Sequence, residues 1–528
     1  MKNEEFETRT TAETVTISRA EYEKLLSIKA ESDHLESMNR WYEEQLKIIR
    51  QKMYGTKVEK ASAEVDSQMA LIFDEPEMYA FLEESRRNTI AVAAHERVKK
   101  EHVFTLDKIP ENAKVEVEEH RVSPEERICP VCGSEMTEIG KDVVRTLQIK
   151  PAEFIVHEDH YFTYACKECE KDTCETQIVK TPHTASVYPG SIASPSAVAY
   201  LMTQKYVMGT PLYRMEQDFE RLGYPLSRQT MSNWMIHCSE KWLKPLYEEL
   251  HARLLKEDIL HADETVVQVL HEPGKKAESN SYMWLYRTGK YAEHAIVLFD
   301  YKDNRRQANP REFLKGFNGY LQTDGYSGYN AVEDVMHVGC LAHLKRKFHD
   351  AVQVLPSGKK TGAAVDGEAY CNALFKLEKQ FADMSPEERY ENRQLHAKKI
   401  MNEFLAWGGT RHAAPKSKLG EALTYLNNQG ATISNYLLDG RLEISNNIAE
   451  RTIKMFVIDR KNFLFANTPK GAEASAVTFS IIRTAMDNGL DPFKYLEYVF
   501  RTAPMLDTND ECWVESLLPW NIPDSYKT

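Results

Sequence analysis

The stretch "DILHADETVVQVL", residues 258–270, sets isoleucine, leucine and valine around two acids, Asp263 and Glu264. That density of apolar and β-branched residues predicts a strand. A carboxylate inside such a strand is costly to bury unless a partner or a metal takes it up. Strand alternation puts Glu264 on the opposite face from Asp263 and His261 on the same face. Two further strand patterns follow, "SYMWLYRTG" (281–289) and "HAIVLFDYK" (294–302), with Asp300 near the end of the second. A helical stretch, "NPREFLKGF" (309–317), comes next. "GYLQTDGYSGYN" (319–330) then predicts a fourth strand that ends at Asp324, just before Gly325. "VMHVGCLAHLKRKFHDA" (335–351) continues as a short strand and a basic helix.

The order β-β-β-α-β-α, with one Asp inside the first strand and one ending the fourth, is the layout of an RNase H-like α/β core. In that layout the first and fourth strands are neighbours, so the two carboxylates meet. A third acid is then expected from a later helix. Glu450, near the start of "LEISNNIAERTIKMFVIDRKNFLF" (442–465), is the best placed candidate. Glu450 and Lys454 are also spaced as an ordinary helix-surface pair, and the two roles are compatible. Glu443 lies before the helix and is less well placed. Carboxylate oxygens are hard ligands suited to Mg²⁺, with Mn²⁺ as a substitute. Two such ions can activate the attacking oxygen and stabilise the leaving one at a phosphodiester. Asp300 is a candidate for orienting the acids, and His261 for binding phosphate or orienting a carboxylate. Cys340 and His343, in C-x-x-H spacing at a strand-to-helix turn, leave a metal site conceivable, but no second pair of ligands is evident, so a structural role or strand positioning near the acids is favoured.

Outward from this core the chain of 528 residues has room for several domains. The fold class expected is multidomain α+β. Residues 1–60 hold a helix with a heptad seam that includes Leu25, Ile28, Leu35 and Asn39, predicting a coiled coil and self-association as a homodimer or higher oligomer. Residues 61–125 read as an acidic linker. Residues 126–180 hold Cys129-x-x-Cys132 and Cys166-x-x-Cys169, the knuckle spacing of a zinc ribbon. The 33 residues between the pairs alternate as a long hairpin would, and Cys174 and His183 lie near enough to compete as ligands. Four thiolates leave no open position on zinc, so the ion is structural. Residues 190–250 read as helix, Gly223 turn, helix. Ser227 would cap the second helix, with Arg228, Gln229, Ser232 and Asn233 on its exposed face for DNA. The same pattern occurs in helix pairs that bind nothing. The core occupies 255–357 and 441–500, separated by a helical insertion at 358–440 and followed by a tail at 501–528.

The net charge of −13 argues against a wholly basic nucleic-acid binder. Local charge runs the other way. Lys345, Arg346 and Lys347 follow the second acid, and Arg451, Lys454, Arg460 and Lys461 follow the third, interleaved with Phe456, Phe463 and Phe465. Cations there suit phosphates, and aromatics either stack on unpaired bases or pack the core. No apolar run reaches bilayer length and "MKNEEFETRT" has no signal-peptide core, so a cytoplasmic protein with no membrane partner is expected.

Several blocks, in order, resemble the bacterial insertion-sequence transposases of the insertion sequence 66 family. They are "RQKMYGTKVEK", "CPVCG…YACKECE", "PLYRMEQDFERLGYPLSRQTMSNW", "HADET", "GYLQTDGYSGYN", "GCLAHLKRKF", "ISNNIAERTIK" and "LLPWN". The resemblance implies a DDE transposase with Asp263, Asp324 and Glu450 as its acids. It implies Mg²⁺-dependent cleavage at element ends and attack of the freed 3′-OH on target DNA. The partners it implies are double-stranded DNA, as terminal repeats and target, and two small companion proteins. Val266 departs from the family pattern, where proline is expected. Two rival readings remain open: a non-catalytic zinc-containing DNA-binding regulator, and a nuclease on the same fold.

Overall fold

The computed structural model describes residues 178–355, 361–510, 512–526 and 153–166, with isolated positions between 117 and 143. The heptad helix, most of the acidic linker, and Cys129, Cys132, Cys169 and Cys174 lie outside the described residues.

Strands β1 (Thr163–Ala165) and β2 (Ile178–Lys180) pair antiparallel, Ala165 opposite Ile178. This differs from the expected long hairpin between Cys132 and Cys166. Residues 153–160 take no strand, and β1 pairs forward across the Cys166 loop. Every residue of β1 and β2 is exposed, so no buried face lengthens the pair. Phe154 instead packs edge-on against Phe219 (4.8 Å) and stacks on Tyr224 (4.3 Å). His183 stacks on Tyr161 at 4.2 Å.

Helices α1 (Pro195–Tyr206), α2 (Leu212–Arg221), α3 (Arg228–Cys238) and α4 (Lys244–Leu254) follow. The turn between α2 and α3 contains Gly223 at φ 86°, a conformation that costs glycine little. The Ser227 hydroxyl accepts the Thr230 N–H at 3.1 Å, which is the expected cap. A π-helical turn, Ser239–Leu243, joins α3 to α4.

The main sheet has the order β5-β4-β3-β6-β7. Its strands are β3 (Ile259–Gln268), β4 (Asn280–Thr288), β5 (Val297–Lys302), β6 (Tyr320–Gln322) and β7 (Met336–Val338). The first three form antiparallel pairs, while β6 runs parallel to β3 and β7 parallel to β6. A short helix, α5 (Ala308–Phe313), makes the crossover to β6. Val266 stays in register opposite Tyr282, so the strand runs on without the family's proline. The fourth strand ends at Gln322, two residues before Asp324.

Beyond β7 the chain is helical: α6 (Leu341–Gln353), α7 (Ala363–Gln380), α8 (Pro386–Asn392), α9 (Lys398–Gly409) and α10 (Lys418–Ser434). Phe348 of α6, Phe404 of α9 and Leu426 of α10 share one buried cluster with Ile259 and Val338 of the sheet. The inserted helices therefore extend the core at the β7 side. Glu378 and Arg393 hold them to the returning chain. Arg393 is fully buried, pairs with Glu378 at 2.7 Å, and donates to the carbonyls of Tyr436, Asp439 and Leu442.

The last helices are α11 (Asn447–Phe463), α12 (Pro469–Asp487) and α13 (Pro492–Thr502). Phe456 of α11 and Phe479 of α12 meet Phe299 of β5 at 5.9 and 5.7 Å, building the core on that face. Phe313 stacks on Tyr286 at 4.0 Å. Two N–H groups of β5 that no strand pairs are taken by α12: Val297 donates to Thr484 Oγ1 (3.0 Å) and Phe299 to Ser480 Oγ (2.7 Å). At the opposite edge, the Asn435 amide donates to His337 O of β7 at 2.8 Å.

Candidate active site

The register of β3 and β6 sets the first two acids side by side. His261 stands opposite Gln322, so Asp263 and Asp324 are each two residues further along parallel neighbours. Over the whole residue, Asp263 and Asp324 are each partly exposed. Asp263 accepts the N–H of Glu264 at 2.8 Å, and Asp324 accepts that of Tyr326 at 2.9 Å. Gly325 has φ 91°, and a side chain there would meet the Tyr425 hydroxyl, which donates to the carbonyl of Asp324 at 2.7 Å. A tight turn and an inserted-helix tyrosine thus fix the second acid.

Glu450 lies in the first turn of α11. The chain leading into that helix is tied down residue by residue. Leu442 O takes Arg393, Glu443 O takes Gln322 Nε2 (2.6 Å), and Ile444 O takes the N–H of Leu341 (3.1 Å). Asn446, fully buried, donates its N–H to Cys340 Sγ (3.2 Å) and its amide to Ala262 O (2.9 Å). Its Oδ1 lies 3.0 Å from His261 Nδ1. With the amide nitrogen committed to Ala262, Oδ1 accepts, so Nδ1 of His261 carries the proton.

The three acids share one electrostatic environment. Burial, followed by the charges of Glu264, Asp324 and Glu450, pushes the Asp263 carboxyl well above the usual carboxylate range. Glu264 is separately satisfied: it accepts the Tyr329 hydroxyl at 2.6 Å and pairs with Arg305. That pairing fits its position on the opposite face. Burial, only partly offset by the Asn446 hydrogen bond, lowers His261 to about 4, so the ring is neutral.

Cys340 and His343 join the acids. His343 Nδ1 lies 3.6 Å from Glu450 Oε1, and neither atom makes a hydrogen bond. Asp300 does not join them. It stands opposite Trp284, which stands opposite Glu264, so it shares the face of Glu264 two strands away. Its nearest partner is Lys302 at 3.3 Å, and burial raises it to about 6. Glu443 is 3.6 Å from Arg389, a structural contact.

The expected DNA-facing residues divide. Arg228, Gln229 and Asn233 are exposed on α3 and Ser232 is half-buried. Gln229 donates to Asn233 at 2.9 Å. Arg346, Arg451 and Lys461 are exposed. Lys345 lies over Phe375 and Lys347 over Tyr425, at 5.0 and 5.1 Å, so both are engaged with inserted-helix rings. Lys454 is half-buried, and Arg460 reaches Thr265 of β3 at 3.4 Å. Phe456 is core, Phe463 is half-buried and Phe465 is exposed. Cys166 is exposed just after β1.

Sequence reasoning missed Asn446 and Tyr425. The only signal for Asn446 was its place before a helix, where a cap is expected, yet its side chain binds the sheet instead.

Sequence comparison adds the decisive observation. The family model "Transposase IS66 family" matches residues 190–474, more than half of the chain and all of the site above. The chain belongs to the IS66 transposase family. A second match, the zinc-finger binding domain of transposase IS66, covers residues 126–170 and with them all four paired cysteines. The IS66 assignment makes this a DNA-binding transposase with a zinc-binding domain. Similar chains include two uncharacterized proteins of Sinorhizobium fredii (strain NBRC 101917 / NGR234). One, y4jD, is 30% identical over 417 residues, 76% of this chain and 79% of its own. The other, y4qI, is 29% identical over 502 residues, 91% of this chain and 88% of its own. No helix among the described residues of this IS66 protein is long and apolar enough to cross a membrane.

Proposed function

We propose that this IS66 transposase cuts DNA at the ends of its element and joins the freed 3′-OH to target DNA, using Asp263, Asp324 and Glu450 on an RNase H-like core. The observation that carries the reading is the parallel register of β3 and β6, which sets Asp263 and Asp324 side by side, with Glu450 brought to them by the Asn446 clamp on Ala262. The sheet order β5-β4-β3-β6-β7 supports the fold assignment.

Carboxylates that act on one another are unfavourable without a cation, and this donor set, all oxygen, suits a hard one. Asp263, Asp324 and Glu450 would hold Mg²⁺ or Mn²⁺, which supplies Lewis acidity toward the attacking and leaving oxygens. The chain's own work is positioning. Gln322, Asn446 and Cys340 fix the approach of Glu450, and Tyr425 fixes the turn at Asp324. Arg346, Arg451 and Lys461 are exposed near the acids in sequence and supply charge for phosphates. The exposed face of α3 is the candidate for reading element ends. The N-terminal heptads are assigned to pairing two copies, so that two ends are held together, and the companion proteins to the same assembly.

The test is a cleavage and strand-transfer assay with Mg²⁺ on DNA bearing the native element ends. Asp263→Asn, Asp324→Asn and Glu450→Gln should each lose roughly 10²–10³-fold or more in both steps and keep DNA binding. Full activity in Glu450→Gln would remove it from the triad. Cutting without joining would favour the nuclease.

A further inference from the structure

Cys340, His343 and Glu450 form a cluster whose chemistry the acid triad does not use. Their ligand atoms, the thiol sulfur, a ring nitrogen and a carboxylate oxygen, all lie within 4.8 Å of one another. Two of the three are orphaned: His343 Nδ1 and Glu450 Oε1 are buried, face each other at 3.6 Å, and have no hydrogen-bond partner. A buried polar pair left in that state is costly unless something sits between or beside it. Tetrahedral zinc with bonds near 2.0–2.3 Å holds its ligand atoms about 3.3–3.7 Å apart. The His343–Glu450 separation already matches that span.

The donor set points to a different class of ion from the triad. Sulfur and imidazole select zinc-like cations, whereas Mg²⁺ takes oxygen. Cys340 is fully buried just before α6, and its sulfur accepts the Asn446 N–H at 3.2 Å, which fixes it beside His343 and Glu450. The His343 side chain keeps 25% of its surface exposed, which gives an ion a way in. Three protein ligands leave the fourth position to water.

We propose that Cys340 Sγ, His343 Nδ1 and Glu450 Oε1 bind one zinc-like divalent cation, and that this ion competes with the triad for Glu450. Binding is independent of the function proposed above, whereas the competition rests on Glu450 being the third acid. An ion held here takes up Glu450 Oε1, so occupancy silences Mg²⁺-dependent cleavage.

The experiment uses the full chain with its four-cysteine domain already loaded with zinc, and titrates Co²⁺ alone. Wild type should take up one further equivalent with a thiolate-to-cobalt band and the visible bands of a tetrahedral ion. Cys340→Ser should lose the thiolate band. His343→Asn, at a partly exposed position, and Glu450→Gln should each weaken uptake at least about tenfold. Thermal melting checks that each variant is folded. No thiolate band in wild type, or a band that survives Cys340→Ser, overturns the site. Uptake unchanged in Glu450→Gln overturns the sharing. In a parallel cleavage assay, added Zn²⁺ should suppress wild type at least about tenfold at full occupancy, and activity that persists there overturns the competition. A chain that binds cobalt but never cuts DNA fails the functional reading alone, and one that cuts but binds no cobalt fails this inference alone.

Discussion

Asn446 reaches back 185 residues to bind His261, Oδ1 to Nδ1 at 3.0 Å, inside the core. The same amide donates to Ala262 O, so one side chain clamps the residue before α11 to the strand that carries Asp263. This contact ties the start of the helix of Glu450 to the strand of Asp263.

Asn446→Ala should therefore injure both stability and chemistry. It leaves His261 Nδ1 and Ala262 O unpaired in the interior, at a cost of about 2–4 kcal/mol. Denaturant unfolding would measure that loss, and the cleavage assay should fall even at temperatures where the variant remains folded. Cleavage at the wild-type rate would show that the clamp does not position Glu450.

His261 should shape the acid limb of stability. Its folded value of about 4 lies below the ordinary 6.5, so between those values the unfolded chain binds more protons. Stability from this group is then full above pH 6.5 and is lost as pH falls toward 4. Replacing His261 with Asn should flatten the pH dependence of unfolding there by up to about one proton.

Asp459 should act with the opposite sign. It is buried on α11, close to Gly209, and burial raises it to about 7 against an ordinary 3.8, with Arg483 opposing. The folded chain then binds the extra proton between those values, and stability falls as pH rises through the window. Asp459→Asn should stabilise the protein at pH 8 by roughly 1–3 kcal/mol, allowing for partial solvent screening, with the gain vanishing near pH 4. Melting curves at the two pH values check it.

Arg393→Met should destabilise by about 3–5 kcal/mol, because Glu378 loses its closest cation and three carbonyls lose their donor. One of those carbonyls, Leu442 O, begins the segment that delivers Glu450. Cleavage should fall with stability, whereas Lys418→Ala, a surface pair with Glu421, should change neither.

What the sequence made legible was local. The strand around Asp263, the turn at Gly325, the Ser227 cap and the helix of Glu450 each follow from residue pattern within a dozen positions. What it hid was set by long-range geometry. Asp300 looked close because it ends a strand, but face is decided by register across two pairings, through Trp284 to Glu264. The inserted helices read as ordinary amphipathic helices. Nothing local showed that Arg393 would be fully buried, or that Tyr425 would meet Asp324. Asn446 went unread because a buried side chain bound to a distant strand leaves no periodic trace.

The hydroxyls of Ser480 and Thr484 stand where a sixth strand would dock against β5, and Asn435 fills the corresponding place beside β7. Edges capped in this way offer a neighbour little free ladder. Pairing of two copies edge to edge through this sheet is therefore disfavoured. The central strands β3 and β6, which lead to Asp263 and Asp324, are thereby shielded from strand exchange at either edge.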